Sequence, residues 1–161
     1  PRARAPVHAA VGRKRALDGA GVAVRSFQGG RPEAYAHAVE VPRRYRIDPP
    51  VGDTLGPGGV FRGLRSVAAL REIAEDMHDL CPDALLIQYA NPMSINCWAT
   101  ERLGITTVGL CHSVQHTSRM LAGMTDLPYD AVTYDSAGEN HTAWCTTFRR
   151  GSEDLGPESC G

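Results

Sequence analysis

The sequence has 161 residues, of which 42% are hydrophobic and 22% charged, and carries a formal net charge of −1. That length and composition suit one domain with a true core, and the near-neutral charge removes any electrostatic case for a nucleic-acid partner. No apolar run approaches the roughly 18 residues needed to span a bilayer, which argues against a membrane protein.

The first stretch, PRARAPVHAAVGRKRAL, contains no acid and no initiating methionine. An Arg-rich, acid-poor start suits a transit peptide, but Pro1, Pro6 and Gly12 disrupt the amphipathic helix such a peptide needs. Residues 1–15 are therefore read as an irregular segment and the chain as truncated. GVAVRSFQ (21–28) is a short β-branched run ending at Gly29-Gly30, a strand followed by a turn. Residues 31–52 are rich in Pro and Arg and read as loop, with a helical turn at most. GPGG (56–59) then opens VFRGLRSVAALREIAEDMHDL, where Val60, Leu64, Val67, Ala68, Ile73 and Met77 recur at helical spacing. Cys81-Pro82 ends that helix.

DALLIQYA (83–90) is a continuous apolar run of strand length, as expected of a parallel strand buried on both faces. Asn91-Pro92 stops it, and MSINCWATERL reads as the next helix. ITTVGLC (105–111) is another strand and SVQHTSRMLAGM another helix. The alternation predicts an α/β fold, part of a doubly wound parallel sheet. VTYDSAGENHTAWCTTF alternates loosely, like a strand.

Ligands of such sheets sit beyond the carboxyl ends of the strands. That rule selects Asn91, Cys111 and His112, which should border one crevice. If the last segment folds back over the sheet, His141 can meet Cys111, and one thiolate with one imidazole makes half of a divalent-metal site. Plainer readings exist for each. A lone cysteine at a strand end is more often a small buried hydrophobe. His112 and His116 have the i, i+4 spacing of paired zinc ligands, but the helix should start between them and no HExxH glutamate is present. Asn91-Pro92 can simply terminate a strand, and GPGG can begin a helix without touching phosphate. The cysteines, Cys81, Cys97, Cys111, Cys145 and Cys160, are odd in number and contain no CxxC. They read as reduced thiols in a cytoplasm.

In their order and separation, GDTLGPGGVFRGLRS, CPDALLIQYANPMSINCWA, VGLCHSVQHT and AGENHTAW resemble the family-4 glycoside hydrolases, especially their α-galactosidase and α-glucosidase branch. The resemblance runs from about Ala16 to Phe148. It implies that 16–132 is the C-terminal part of a Rossmann-like NAD-binding domain and that 133–161 begins an α+β catalytic domain. It further implies NAD and a divalent metal, usually Mn2+, as cofactors, a small-molecule glycoside as substrate, and a homo-oligomeric parent in the cytoplasm. In that chemistry a hydride leaves the sugar's C3 for NAD, the C2 proton is removed, the aglycone is eliminated, water adds, and the ketone is reduced again.

Position by position, the resemblance makes Cys111 and His141 the metal ligands and Asn91 and Asn140 the residues that hold sugar hydroxyls. His112 follows the metal cysteine, where phospho-sugar members carry an acidic or amide residue. It becomes either the acid that protonates the leaving oxygen, a role a histidine can fill near neutrality, or a hydrogen-bonding wall of the sugar pocket.

The departures are specific. The N-terminal glycine-rich turn for the NAD pyrophosphate has no counterpart, and the family's tyrosine base lies beyond Gly161. The motif of an asparagine followed by FQVGG is here Arg25-Ser-Phe-Gln28-Gly-Gly, and an aspartate that supports the base is replaced by Ala38. The chain alone is therefore expected not to complete the reaction. Three readings follow: a fragment of a glycosidase for unphosphorylated α-glycosides, a fragment of a 6-phospho-glycosidase, or a truncated segment without activity of its own.

Overall fold

The structure is a computed structural model, and it describes residues 7–48, 52 and 54–156. Parts of the two terminal segments read from the sequence (1–6 and 157–161, with Cys160) lie outside the described residues, as does Asp53 of the GDTLGPGG motif.

Chain order gives helix α1 (Arg13–Leu17), strand β1 (Val22–Arg25), helices α2 (Arg31–Arg44) and α3 (Gly56–Leu80), and strand β2 (Leu85–Gln88). Helix α4 (Met93–Arg102), strand β3 (Thr107–Gly109) and helix α5 (Ser113–Met124) follow. A 3-10 turn (Tyr129–Ala131) then leads into strands β4 (Thr133–Glu139), β5 (Thr142–Arg150) and β6 (Glu153–Asp154).

The first three strands form a parallel sheet in the order β1-β2-β3, with Val24 opposite Ile87 and Ile87 opposite Val108. Both crossovers step in the same direction, and right-handed crossovers then lay their helices on one face. The core of that face is Leu70, Ile73, Ala74 and Met77 of α3 against Leu86 of β2, closed by Leu17 and Ile105. The alternating residues point the other way, and among the described residues they are left open: Val22 is 55% and Val24 66% exposed.

Two expectations are corrected. Residues 31–44, read as loop, are helix α2. Pro32 falls in its first turn, where the missing N–H costs nothing, and Gly30 supplies the preceding left-handed residue at φ +95. Arg43 and Arg44 lie in the last turn, where a cation suits the helix dipole. Pro and Arg content hid a helix because both act at its ends. The loosely alternating stretch near the C-terminus is two strands rather than one, β4 and β5 folding back at Asn140 and His141.

GPGG is part of α3 itself, and its reason is close packing. A Cβ on Gly58 would lie 2.3 Å from the Ala38 carbonyl oxygen of α2, so the two helices approach backbone to backbone. The apolar residues of this half of α3 face outward instead: Leu64 is 63% exposed, while Arg62 and Ser66 are buried. The stripe points to the core only from Leu70 onward.

A second, smaller core joins α5 to the antiparallel sheet through Ala122, Val132, Phe148 and Leu155. α1 begins inside the segment read as irregular. It docks by burying Leu17 and by ion pairs from Arg13 and Lys14 to Asp76 of α3, at 2.6 Å and 3.3 Å.

Candidate active site

β2 and β3 end side by side, Gln88 opposite Gly109. Asn91 therefore follows one strand, and Cys111 and His112 the next. β3 can lie this close to α4 because Gly109 has no side chain: a Cβ there would lie 2.7 Å from Met93 Sδ and 2.8 Å from Cys97 Sγ. His112 is the residue just before α5, so the helix does start between His112 and His116. Their rings stack at 5.7 Å rather than converging on a shared point.

The β4–β5 hairpin brings the other two candidates. Glu139 pairs with Thr142, which leaves Asn140 and His141 as the turn. His141 has φ +61, a left-handed backbone that histidine tolerates better than most side chains but at some cost. The turn places its ring over the end of β3, with Nε2 3.9 Å from Cys111 Sγ. A tetrahedral ion with sulfur and nitrogen bonds of the usual lengths holds those atoms about 3.6 Å apart. Cys111 and His141 thus fit a single cation with little adjustment. Among the described residues no third His, Cys, Asp or Glu joins them, so an ion would take its remaining ligands from water or substrate.

Cys111 is prepared for such a role. Partial burial raises its thiol pKa, but hydrogen bonds from the side chain and backbone of Ser113, the Asn140 side chain and the His112 backbone outweigh burial and hold it below the ordinary thiol value. The Asn140 amide that assists Cys111 keeps its own Oδ1 buried and, among the described residues, without a hydrogen-bond partner.

A cavity of about 650 Å³ opens beside this pair, lined by Cys111, Ser113, Tyr134, Ser136, Asn140 and His141 among others. A second, of about 270 Å³, shares Cys111, Ser113 and His141 with the first and reaches Tyr89, Asn91 and His112. The structure therefore brings all of Asn91, Cys111, His112, Asn140 and His141 to one region, with His112 and Asn91 in the smaller cavity. Two residues there were not singled out from the sequence. The Tyr89 hydroxyl bonds to His112 Nε2, and Ser113 bonds to both Cys111 and His141. Ser113 follows the metal-type cysteine by two positions at the start of a helix, and that spacing was the only available signal.

No lysine or arginine lines either cavity among the described residues. Arg25, which could have supplied a cation, is instead 3% exposed, with its guanidinium 4.3 Å from the Phe27 ring.

The parallel sheet, with a thiol at the end of β3 facing an imidazole from the β4–β5 turn, defines a Rossmann-like α/β chain. More specifically, the chain belongs to family 4 of the glycosyl hydrolases, whose family profile matches residues 2–127. It is 39% identical over 148 residues to an alpha-galactosidase of Bacillus subtilis (strain 168), covering 91% of this chain and 34% of that protein. The solved structure of lplD from Bacillus subtilis superposes with a TM-score of 0.83 at 34% identity, over 91% of this chain and 36% of the other. A 6-phospho-alpha-glucosidase from gut microorganisms, solved in complex with NAD and Mn2+, has the same fold, with a TM-score of 0.78 at 21% identity, over 91% and 34%. The chain thus spans about a third of the length of the curated relatives it matches. No helix among the described residues is long and apolar enough to cross a membrane.

Proposed function

We propose that this chain is the sheet-and-hairpin segment of an NAD- and divalent-metal-dependent glycosidase acting on unphosphorylated α-galactosides or α-glucosides. The observation that carries the reading is the approach of Cys111 Sγ and His141 Nε2 to 3.9 Å, from segments 30 positions apart, beside a cavity that Asn140 also lines. When bound, NAD and a divalent cation such as manganese supply the hydride acceptor and the Lewis acid of an oxidation, elimination, addition and reduction route.

The chain's own residues have separable tasks. Cys111 and His141 would hold the cation. Asn140 and Asn91 would orient the sugar through its hydroxyls, as side-chain amides that can both donate and accept. His112, held edge-on by Tyr89 with ring centroids 5.3 Å apart, would stand at the leaving oxygen in the smaller cavity. The absence of a lining lysine or arginine among the described residues favours a neutral sugar, because a 6-phosphate calls for cationic partners. Glu139, which lines the larger cavity, adds a like charge against an anionic substituent.

The test is a pair of substrates. A complete family-4 chain carrying this segment, supplied with NAD, manganese and a thiol reductant, is expected to hydrolyse a nitrophenyl α-galactoside or α-glucoside and to ignore the 6-phosphorylated analogue. Cys111→Ser should lower kcat/KM by on the order of 100-fold or more. A higher kcat/KM for the phosphorylated sugar would replace this reading with the 6-phospho-glycosidase one.

A further inference from the structure

Ser113 touches both members of the Cys111–His141 pair. Its Oγ lies 3.1 Å from Cys111 Sγ and 3.3 Å from His141 Nδ1. The two nitrogens of the His141 ring therefore face different partners, Nε2 toward the sulfur and Nδ1 toward the hydroxyl.

That asymmetry matters because a neutral imidazole carries one hydrogen, and only the bare nitrogen can bind a cation. If the hydrogen sits on Nε2, it points at the sulfur and blocks the space between the two ligands. If it sits on Nδ1, it needs an acceptor, and the Ser113 oxygen is placed to be one. The serine then turns its own hydrogen to the sulfur, and Nε2 stays bare, facing the Cys111 thiol. Ser113 is free for this task. It is the first residue of α5, and no side chain caps that helix end.

We propose that Ser113 is a positioning residue that holds His141 as the Nδ1–H tautomer, with Nε2 bare toward Cys111, before any cation binds. The proposal rests on reading Cys111 and His141 as a metal pair. It adds that the pair is preset by a third side chain, in the way that outer hydrogen-bond partners commonly fix metal-binding histidines.

Two measurements on this chain test it. In cobalt titrations, the wild type should show the intense near-ultraviolet absorption of a thiolate–cobalt bond, and Cys111→Ala should lose it. Ser113→Ala should keep the absorption while binding Co2+ and Mn2+ about 10- to 100-fold more weakly. Ser113→Thr, which retains the hydroxyl, should recover most of the affinity, and unchanged circular dichroism shows that each variant is folded. Nitrogen-15 NMR of the metal-free chain should report the Nδ1–H tautomer for His141, assigned with His141→Gln, and a mixture in Ser113→Ala. If the wild type gives no thiolate–cobalt absorption, the metal reading is wrong and the proposal falls with it. If the wild type binds as expected but Ser113→Ala binds equally well, or His141 is Nε2–H in the wild type, the metal reading stands and the role of Ser113 is refuted.

Discussion

At the scale of single residues, the least expected side chain is Arg25. It ends β1 and is almost wholly buried, its three guanidinium nitrogens have no hydrogen-bond partner among the described residues, and its guanidinium lies against the face of Phe27. Desolvation, and after it the charge of Arg62, pulls its pKa down from the ordinary arginine value to about 10. The sign follows from linkage: a cation whose folded pKa lies below its unfolded one destabilises the fold wherever it is fully protonated, and the penalty fades only as pH rises beyond about 10 toward the ordinary arginine value. At neutral pH the whole penalty applies, roughly 3 kcal/mol from the size of that shift. Arg25→Leu should therefore raise stability by about 1–3 kcal/mol, seen as a higher urea midpoint with unchanged slope. A lower midpoint would mean that Arg25 has a favourable partner. The sequence marked Arg25 as a departure from its family's motif but could not say that the departure is buried, because burial depends on the pairing of β1 with β2.

Among elements, α1 shows how a short helix is held. Five residues make no stable helix alone, and α1 persists through Leu17 in the core and through Arg13 and Lys14 on Asp76. The hydrogen bond from Arg13 is the main reason that the Asp76 pKa lies below its ordinary value; partial burial acts against it, and Lys14 reinforces it. A carboxylate depressed in this way stabilises the fold above its unfolded pKa, and that stability disappears as pH falls through the folded value. Asp76→Asn should lower the urea midpoint at pH 7, and the difference should shrink as pH falls below the ordinary carboxylate range. Equal midpoints at pH 7 would show that Leu17 alone docks the helix. The elements that were legible from sequence are those whose signal is local: β2 as an apolar run, α4 and α5 by their position between strands, and β3 before the Cys-His pair. α2 was missed because Pro32 and the arginines resemble loop composition, and the hairpin because the turn lies at Asn140-His141, where no glycine marks it. The pairing of Cys111 with His141 was visible only as a possibility of folding back. Tyr89 carried no sequence signal and Ser113 only its spacing from Cys111, since their roles depend on where a helix start and a neighbouring strand end meet.

For the whole molecule, the site is shared between the two cores. Cys111 and Ser113 follow a strand of the parallel sheet, while Asn140 and His141 ride on a hairpin whose outer half is exposed on both faces: residues 135–139 and 142–146 are all open to water, Trp144 at 76%. Apolar packing among the described residues holds the base of the hairpin, through Tyr134 and Phe148 in the second core, while Asp135 and Thr147 bond across the register shift next to Ser136 and polar contacts of His141 hold the tip. Backbone hydrogen bonds with no apolar cover open locally at little cost. Amide hydrogen exchange in 136–143 should therefore be fast in the free chain while β2 stays protected, and Mn2+ should slow the hairpin amides selectively. Equal exchange with and without the ion would separate the hairpin from the metal. An ion that needs both cores captures the tip only in the fraction of time that the tip is folded, and its apparent affinity is scaled by that fraction. Hairpin rigidity then acts as a rheostat on affinity. Thr147→Val, which touches neither ligand but removes the bonds to Asp135, should loosen ion binding, and a change that stiffens the hairpin should tighten it without altering a single coordinating atom.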